Sequence, residues 1–120
     1  MNVIDNQPKP LFDRDAILDR VGGDEELLRE ITEIFLSEYP GLLEEIRTAV
    51  DTRDTGKLEV SAHTLKGSVS NFGADAATAA ARDLEAMARK GQLDDAPNAL
   101  NALELHFAAL LPALEALTRA

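Results

Sequence analysis

The chain contains no cysteine. Disulfides, cysteine-ligated zinc, iron–sulfur clusters and thiol nucleophiles are therefore excluded. It also has no tryptophan, and aromatic residues make up only 4% of it. Basic residues are scarce: 12 Lys and Arg stand against 22 Asp and Glu, a formal net charge of −10. A nucleic-acid binder neutralises phosphates with Lys and Arg, so this balance argues against DNA or RNA as a partner. It argues equally against docking on an anionic membrane. The N-terminal stretch is polar, carries Asp5 and includes Pro8 and Pro10, unlike a secretory leader. No apolar run approaches the roughly 18 residues a membrane span needs, so a cytoplasmic protein is expected. Neither a Gly-x-Gly-x-x-Gly loop nor a Walker pattern is present, which argues against an autonomous ATP-dependent kinase.

What remains is an ordinary mixture for a globular chain. Of 120 residues, 45% are apolar and 28% charged, enough for the core of one domain and too apolar for disorder. Ala and Leu dominate, and unbranched side chains lose little rotamer freedom in a helix. Residues 1–12 read as a loose lead-in, and residues 13–118 as the folded domain. Asp13 is positioned to cap a short helix to about Val21, closed by Gly22-Gly23. Asp24 caps a long second helix, with Glu25 and Glu26 at its positive end. Leu28, Ile31, Phe35, Leu42 and Ile46 carry its helical spacing to about Val50. Pro40-Gly41 predicts a kink or brief break, and Asp51 to Gly56 predicts a turn. A third helix is expected from about Thr55 to Gly73. A fourth follows from a cap at Asp75 to Lys90, with Gly91 as its stop. A fifth runs from about Asp94 to Thr118, bent at Pro112. No strand pattern is present. The expected fold is all-α: an antiparallel up-down four-helix bundle with a short N-terminal capping helix.

The third helix carries the chemistry. Leu58, Ala62, Leu65, Val69 and Phe72 are spaced four, three, four, three, the stripe a bundle helix buries. At about 100° per residue, His63 points roughly 140–160° from the centre of that stripe, towards solvent. Lys66 and Gly67 follow three and four residues later and lie beside it. Glu59 and Ser70 share its face, and Val60 flanks it. A glycine inside a helix costs about 1 kcal/mol relative to alanine. Space beside the imidazole is a physical reason to accept that cost, because another molecule can then approach the ring closely.

The segment Ala62-His63-Thr64-Leu65-Lys66-Gly67-Ser68, followed by Phe72-Gly73-Ala74, resembles the signature of histidine phosphotransfer (HPt) domains, His-x-Leu-Lys-Gly-Ser with a later Gly-Ala. The Leu84-Glu85 pair and the order of helices are similar to that family too. The resemblance implies that His63 takes a phosphoryl group from an aspartyl phosphate on a response-regulator receiver domain and passes it to another receiver aspartate. The receiver and a hybrid sensor kinase would be the partners of a monomeric chain. It implies no cofactor or metal on this chain, since magnesium belongs to the receiver. Lys66 would supply positive charge beside the transferring group, Gly67 steric access, and Glu59, Val60, Ser70 and Asn71 contacts to the partner or, for Ser70 and Asn71, to the ring.

Bland readings stand beside these. His106 lacks such neighbours and reads as structural or surface. The acidic runs read as caps and solvated surface. Val60, Leu27 and Ile34 either pack in the bundle or form an apolar patch for a docking receiver. The rival function is a helical scaffold in which His63 is dispensable.

Overall fold

A computed structural model describes residues 12–119, and among them all regular secondary structure is helical. Helix α1 spans Arg14–Arg20, α2 Glu25–Thr52, α3 Thr55–Ser70, α4 Asp75–Lys90 and α5 Ala96–Thr118. The expected all-α bundle is present. The lead-in expected over residues 1–12 lies outside the described residues, except for Phe12.

Caps set most of the boundaries. The Asp13, Asp24 and Asp54 carboxylates accept from the backbone N–H groups of Ala16, Leu27 and Lys57, so each satisfies a donor that the first helical turn leaves free. Helix α2 runs through Pro40-Gly41 with no break. The ring costs one backbone hydrogen bond there, and flanking buried residues hold the helix on both sides: Phe35 and Tyr39 before it, Leu43 and Ile46 after. Thr52 still belongs to α2 and Gly56 to α3, so the expected turn over Asp51–Gly56 shrinks to Arg53 and Asp54. Arg53 makes this tight turn possible by taking a left-handed conformation, φ 55°, while its N–H bonds the Ala49 and Val50 carbonyls.

Helix α3 ends at Ser70, three residues before the expected stop, and residues 71–73 form a turn. Gly73 closes that turn at φ +66°, and a Cβ there would lie 3.1 Å from the Cβ of Asp13. Its absence lets the start of α1 seat against the α3–α4 turn, where the Asp13 N–H donates to the Phe72 carbonyl at 3.1 Å. Arg20 adds a contact to Asn71. The short helix thus covers one end of the bundle. Ala74, not Asp75, occupies the N-cap of α4 and makes no side-chain cap bond; Asp75 sits inside the first turn, where its charge meets the helix dipole. Helix α5 starts at Ala96, two residues later than expected, and continues through Pro112.

Helix α3 packs between α2 and α4, while α5 packs on α2 and α4 from the other side, so α3 and α5 are diagonally opposed. The stripe on α3 is buried as expected. Phe35, Tyr39, Phe72 and Phe107 cluster between α2, α5 and the α3–α4 turn, with Tyr39 and Phe107 stacked at 4.6 Å and Phe35 and Phe72 tilted by 60° at 5.3 Å. On α2, Ile31 and Leu42 are half-buried flanks, and Tyr39 and Leu43 take the core positions instead. No uninterrupted apolar run of about 18 residues occurs in the sequence, as expected, but average hydropathy gives a different result for one helix. Helix α5, with 23 residues, is long and apolar enough to cross a membrane by length and composition. Scattered polar residues break its apolar runs without making its average polar. Its Leu103, Phe107, Leu110 and Leu114 are buried in the bundle.

Candidate functional site

His63 sits mid-way along α3, on the face turned away from the buried stripe, and its side chain is 65% exposed. The residues around it follow from helix geometry. Glu59 lies one turn before it and Lys66 and Gly67 one turn after. Across from them runs α4, whose Ala77, Ala81, Leu84 and Ala88 are buried. Glu85 falls between these and is 3% exposed. A carboxylate at such a position is retained only where it is paired.

It is paired three times. Its Oε2 lies 2.7 Å from His63 Nδ1 and 2.9 Å from an Arg89 guanidinium nitrogen; its Oε1 lies 2.7 Å from Lys66 Nζ. Arg89 also donates to Glu59 at 3.2 Å. Glu59 opposite Arg89 and His63 opposite Glu85 keep a single antiparallel register between α3 and α4. Lys66 holds the Glu85 carboxyl below the usual carboxylate range, against the opposing effect of burial, and His63 adds to the lowering. The carboxylate is therefore ionised at neutral pH and can only accept. Nδ1 must carry the hydrogen in this contact, which leaves Nε2 of a neutral ring unprotonated and directed outward. An unprotonated imidazole nitrogen in solvent is a nucleophile.

Gly67 leaves open space: a Cβ at this position would meet nothing within 4 Å. That disposes of a close helix–helix contact as the reason for the glycine. Lys66 is less free than the sequence suggests, because its ammonium is tied to Glu85, one hydrogen bond from the imidazole. Ser70 and Asn71 do not orient the ring. The Ser70 hydroxyl donates to the Gly67 carbonyl, and the Asn71 side-chain amide oxygen accepts from Arg20. Ring orientation belongs to Glu85, which the sequence reading left without a role. The signal was present as a glutamate set into an alanine stripe. Arg89 gave no comparable signal, since its partners are set by the pairing of two helices.

Val60 and Ile34 are well exposed and Leu27 less so, so none of the three is a core residue. Beside α3, Ile31, Ile34 and Phe35 of α2 line a shallow cleft with Ser68, Asn71 and Phe72. His106 lies away from His63, at a pocket lined by Phe12, Gly73 and Leu110 among others. Among the described residues no group of three or more His, Asp or Glu is placed to hold a metal ion.

The Hpt domain family model matches residues 30–117. Among solved structures, histidine-containing phosphotransfer protein B (HptB) from Pseudomonas aeruginosa PAO1 superposes with a TM-score of 0.85 at 24% identity, covering 93% of this chain and 97% of that one. A search of curated protein sequences found no significant match.

Proposed function

Because this chain belongs to the Hpt domain family, we propose that it is a phosphorelay intermediate in which His63 is the phosphorylated residue. It accepts the group from an aspartyl phosphate on a receiver domain and donates it to the aspartate of another response regulator. The observation that carries this reading is the exposed imidazole whose Nδ1 is held by an ionised, buried Glu85.

The geometry supports the chemistry step by step. Nε2 attacks phosphorus, the N–P bond forms, the acyl P–O bond breaks, and the electron pair leaves on the aspartate carboxylate. No proton has to move, because the Nδ1–H stays on its carboxylate. Positive charge that develops on the ring faces the negative Glu85, which stabilises it. Transfer onward reverses the step. Such a transition state is loose, and catalysis is mainly positioning and charge stabilisation. A divalent cation is not expected on this chain, because Glu59 and Glu85 are both committed to cationic side chains. The partner receiver is expected to bring magnesium. Gly67 opens the approach to the ring, and Ile31, Ile34 and Val60 offer apolar surface on which a receiver can dock, with Glu59, Ser70 and Asn71 at its margin. This reading takes the chain as a cytoplasmic monomer whose partners are receiver domains and a hybrid sensor kinase.

Incubation with a phosphorylated cognate receiver tests the proposal. The chain should gain an acid-labile, alkali-stable phosphate, and His63→Gln should not gain it while keeping full helicity. Labelling of His63→Gln would overturn the assignment.

A further inference from the structure

We infer that Arg89 is a positioning residue for phosphoryl transfer: it shares Glu85 Oε2 with the imidazole and pairs with Glu59, so that the carboxylate under His63 stays oriented yet too well neutralised to draw a second proton onto the ring. The inference rests on His63 being the phosphorylated residue.

Two demands on Glu85 conflict. It must accept from Nδ1–H to fix the tautomer, but a lone buried carboxylate in contact with an imidazole also stabilises the imidazolium. The imidazolium has no free electron pair at Nε2 and cannot attack. A chain with a formal net charge of −10 makes this worse. The four charged groups joined around the ring are Glu59 and Lys66 on α3 and Glu85 and Arg89 on α4, two of each sign. Helix α2, the other neighbour of α3, presents Glu38 and Glu45 along a cleft that Thr64 and Ser68 complete. The cations bonded to Glu85 are Lys66 and Arg89, so the balance at the ring depends first on these two; Arg82, one turn before Glu85 on α4, is a further cation on that helix and makes no ion pair with the carboxylate. Lys66 takes Oε1. Arg89 alone takes Oε2, the oxygen that the imidazole uses. Its planar fork serves two carboxylates at once, which a lysine does less well.

The test is the rate of phosphoryl acceptance from one receiver as a function of pH, taken as the ratio of variant to unaltered protein so that the donor's own pH dependence cancels. Arg89→Met should be about three- to tenfold slower at pH 6.5, and the deficit should close as the pH is raised to 8.5. Glu59→Gln, which gives Arg89 wholly to Glu85, should shift the profile the opposite way. Arg89→Lys should recover most of the loss. A ratio that is low but flat across pH would make Arg89 a mere brace between helices and overturn the inference, as would a ratio of one throughout. Neither result touches the phosphorylation of His63, which the His63→Gln labelling decides separately.

Discussion

Glu85 and Gly67 act on the same ring from opposite directions, one by contact and one by absence. Replacing Glu85 with Gln keeps an oxygen for Nδ1–H but removes the charge that opposes the positive ring in the transition state. A charge-assisted bond exceeds a neutral one by about 1–1.5 kcal/mol, so Glu85→Gln should slow phosphoryl acceptance roughly tenfold. Single-turnover labelling against one receiver measures it, and an unchanged rate would remove Glu85 from the mechanism. Gly67 gives an effect of opposite sign on stability. A side chain fits within this chain, since nothing approaches the Cβ position, and leaving glycine behind stabilises a helix by a few tenths of a kcal/mol to about 1 kcal/mol. Gly67→Leu should therefore melt at a higher temperature and yet transfer poorly, because the added bulk stands where the receiver arrives. If Gly67→Leu transfers at the normal rate, the glycine does not serve access.

At the scale of elements, the α3–α4 turn ties the site helices to the rest of the fold. Gly73→Ala places a Cβ 3.1 Å from Asp13 and forces φ +66° on an alanine. The backbone term alone costs about 1–2 kcal/mol, and α1 must shift as well. Urea unfolding should show that loss, with His63 labelling by a receiver preserved because α3 and α4 still pair. The apolar stripes made the helices legible in the sequence, and caps did so for the first two: Asp13 and Asp24 start helices where expected, and His63 faces out as the spacing requires, whereas α4 and α5 begin without a side-chain cap bond. Other features were misread for reasons that lie outside the local pattern. Arg53 turns the chain in a conformation usually left to glycine, so a polar stretch remained mostly helix. Gly73 serves a contact with α1 from sixty residues away in sequence, so it read as the end of α3 itself. Pro40 lies in a helix held by packing on both sides of it. The ion-pair network was illegible for a similar reason. Spacing gives the faces of one helix, but the register between α3 and α4 decides that Arg89 meets both Glu59 and Glu85.

For the molecule as a whole, Glu85 links the chemistry of the site to stability. Its carboxyl is held below the usual carboxylate range in the folded state, chiefly by Lys66 and then by His63. A group with a depressed folded-state value binds fewer protons folded than unfolded, so its contribution is complete above the unfolded value, about 4.3, and disappears as the pH falls through the folded one. The remaining charge acts in the other direction at first. With a net charge of −10, mild acidification relieves self-repulsion before any structural carboxylate is protonated. Stability should thus change little or rise slightly from pH 7 towards about 5, then fall below about 4. Glu85→Gln has no proton to gain there. Its stability should start lower at neutral pH, by about 1–3 kcal/mol for a buried charged hydrogen-bonded group, and its decline below pH 4 should be shallower, so that the two curves converge in acid. Urea unfolding at a series of pH values, with both proteins in one buffer system, tests this directly. Curves that stay parallel down to pH 2.5 would mean that Glu85 is not a depressed carboxylate in solution, and the fixed tautomer of His63 would lose its support.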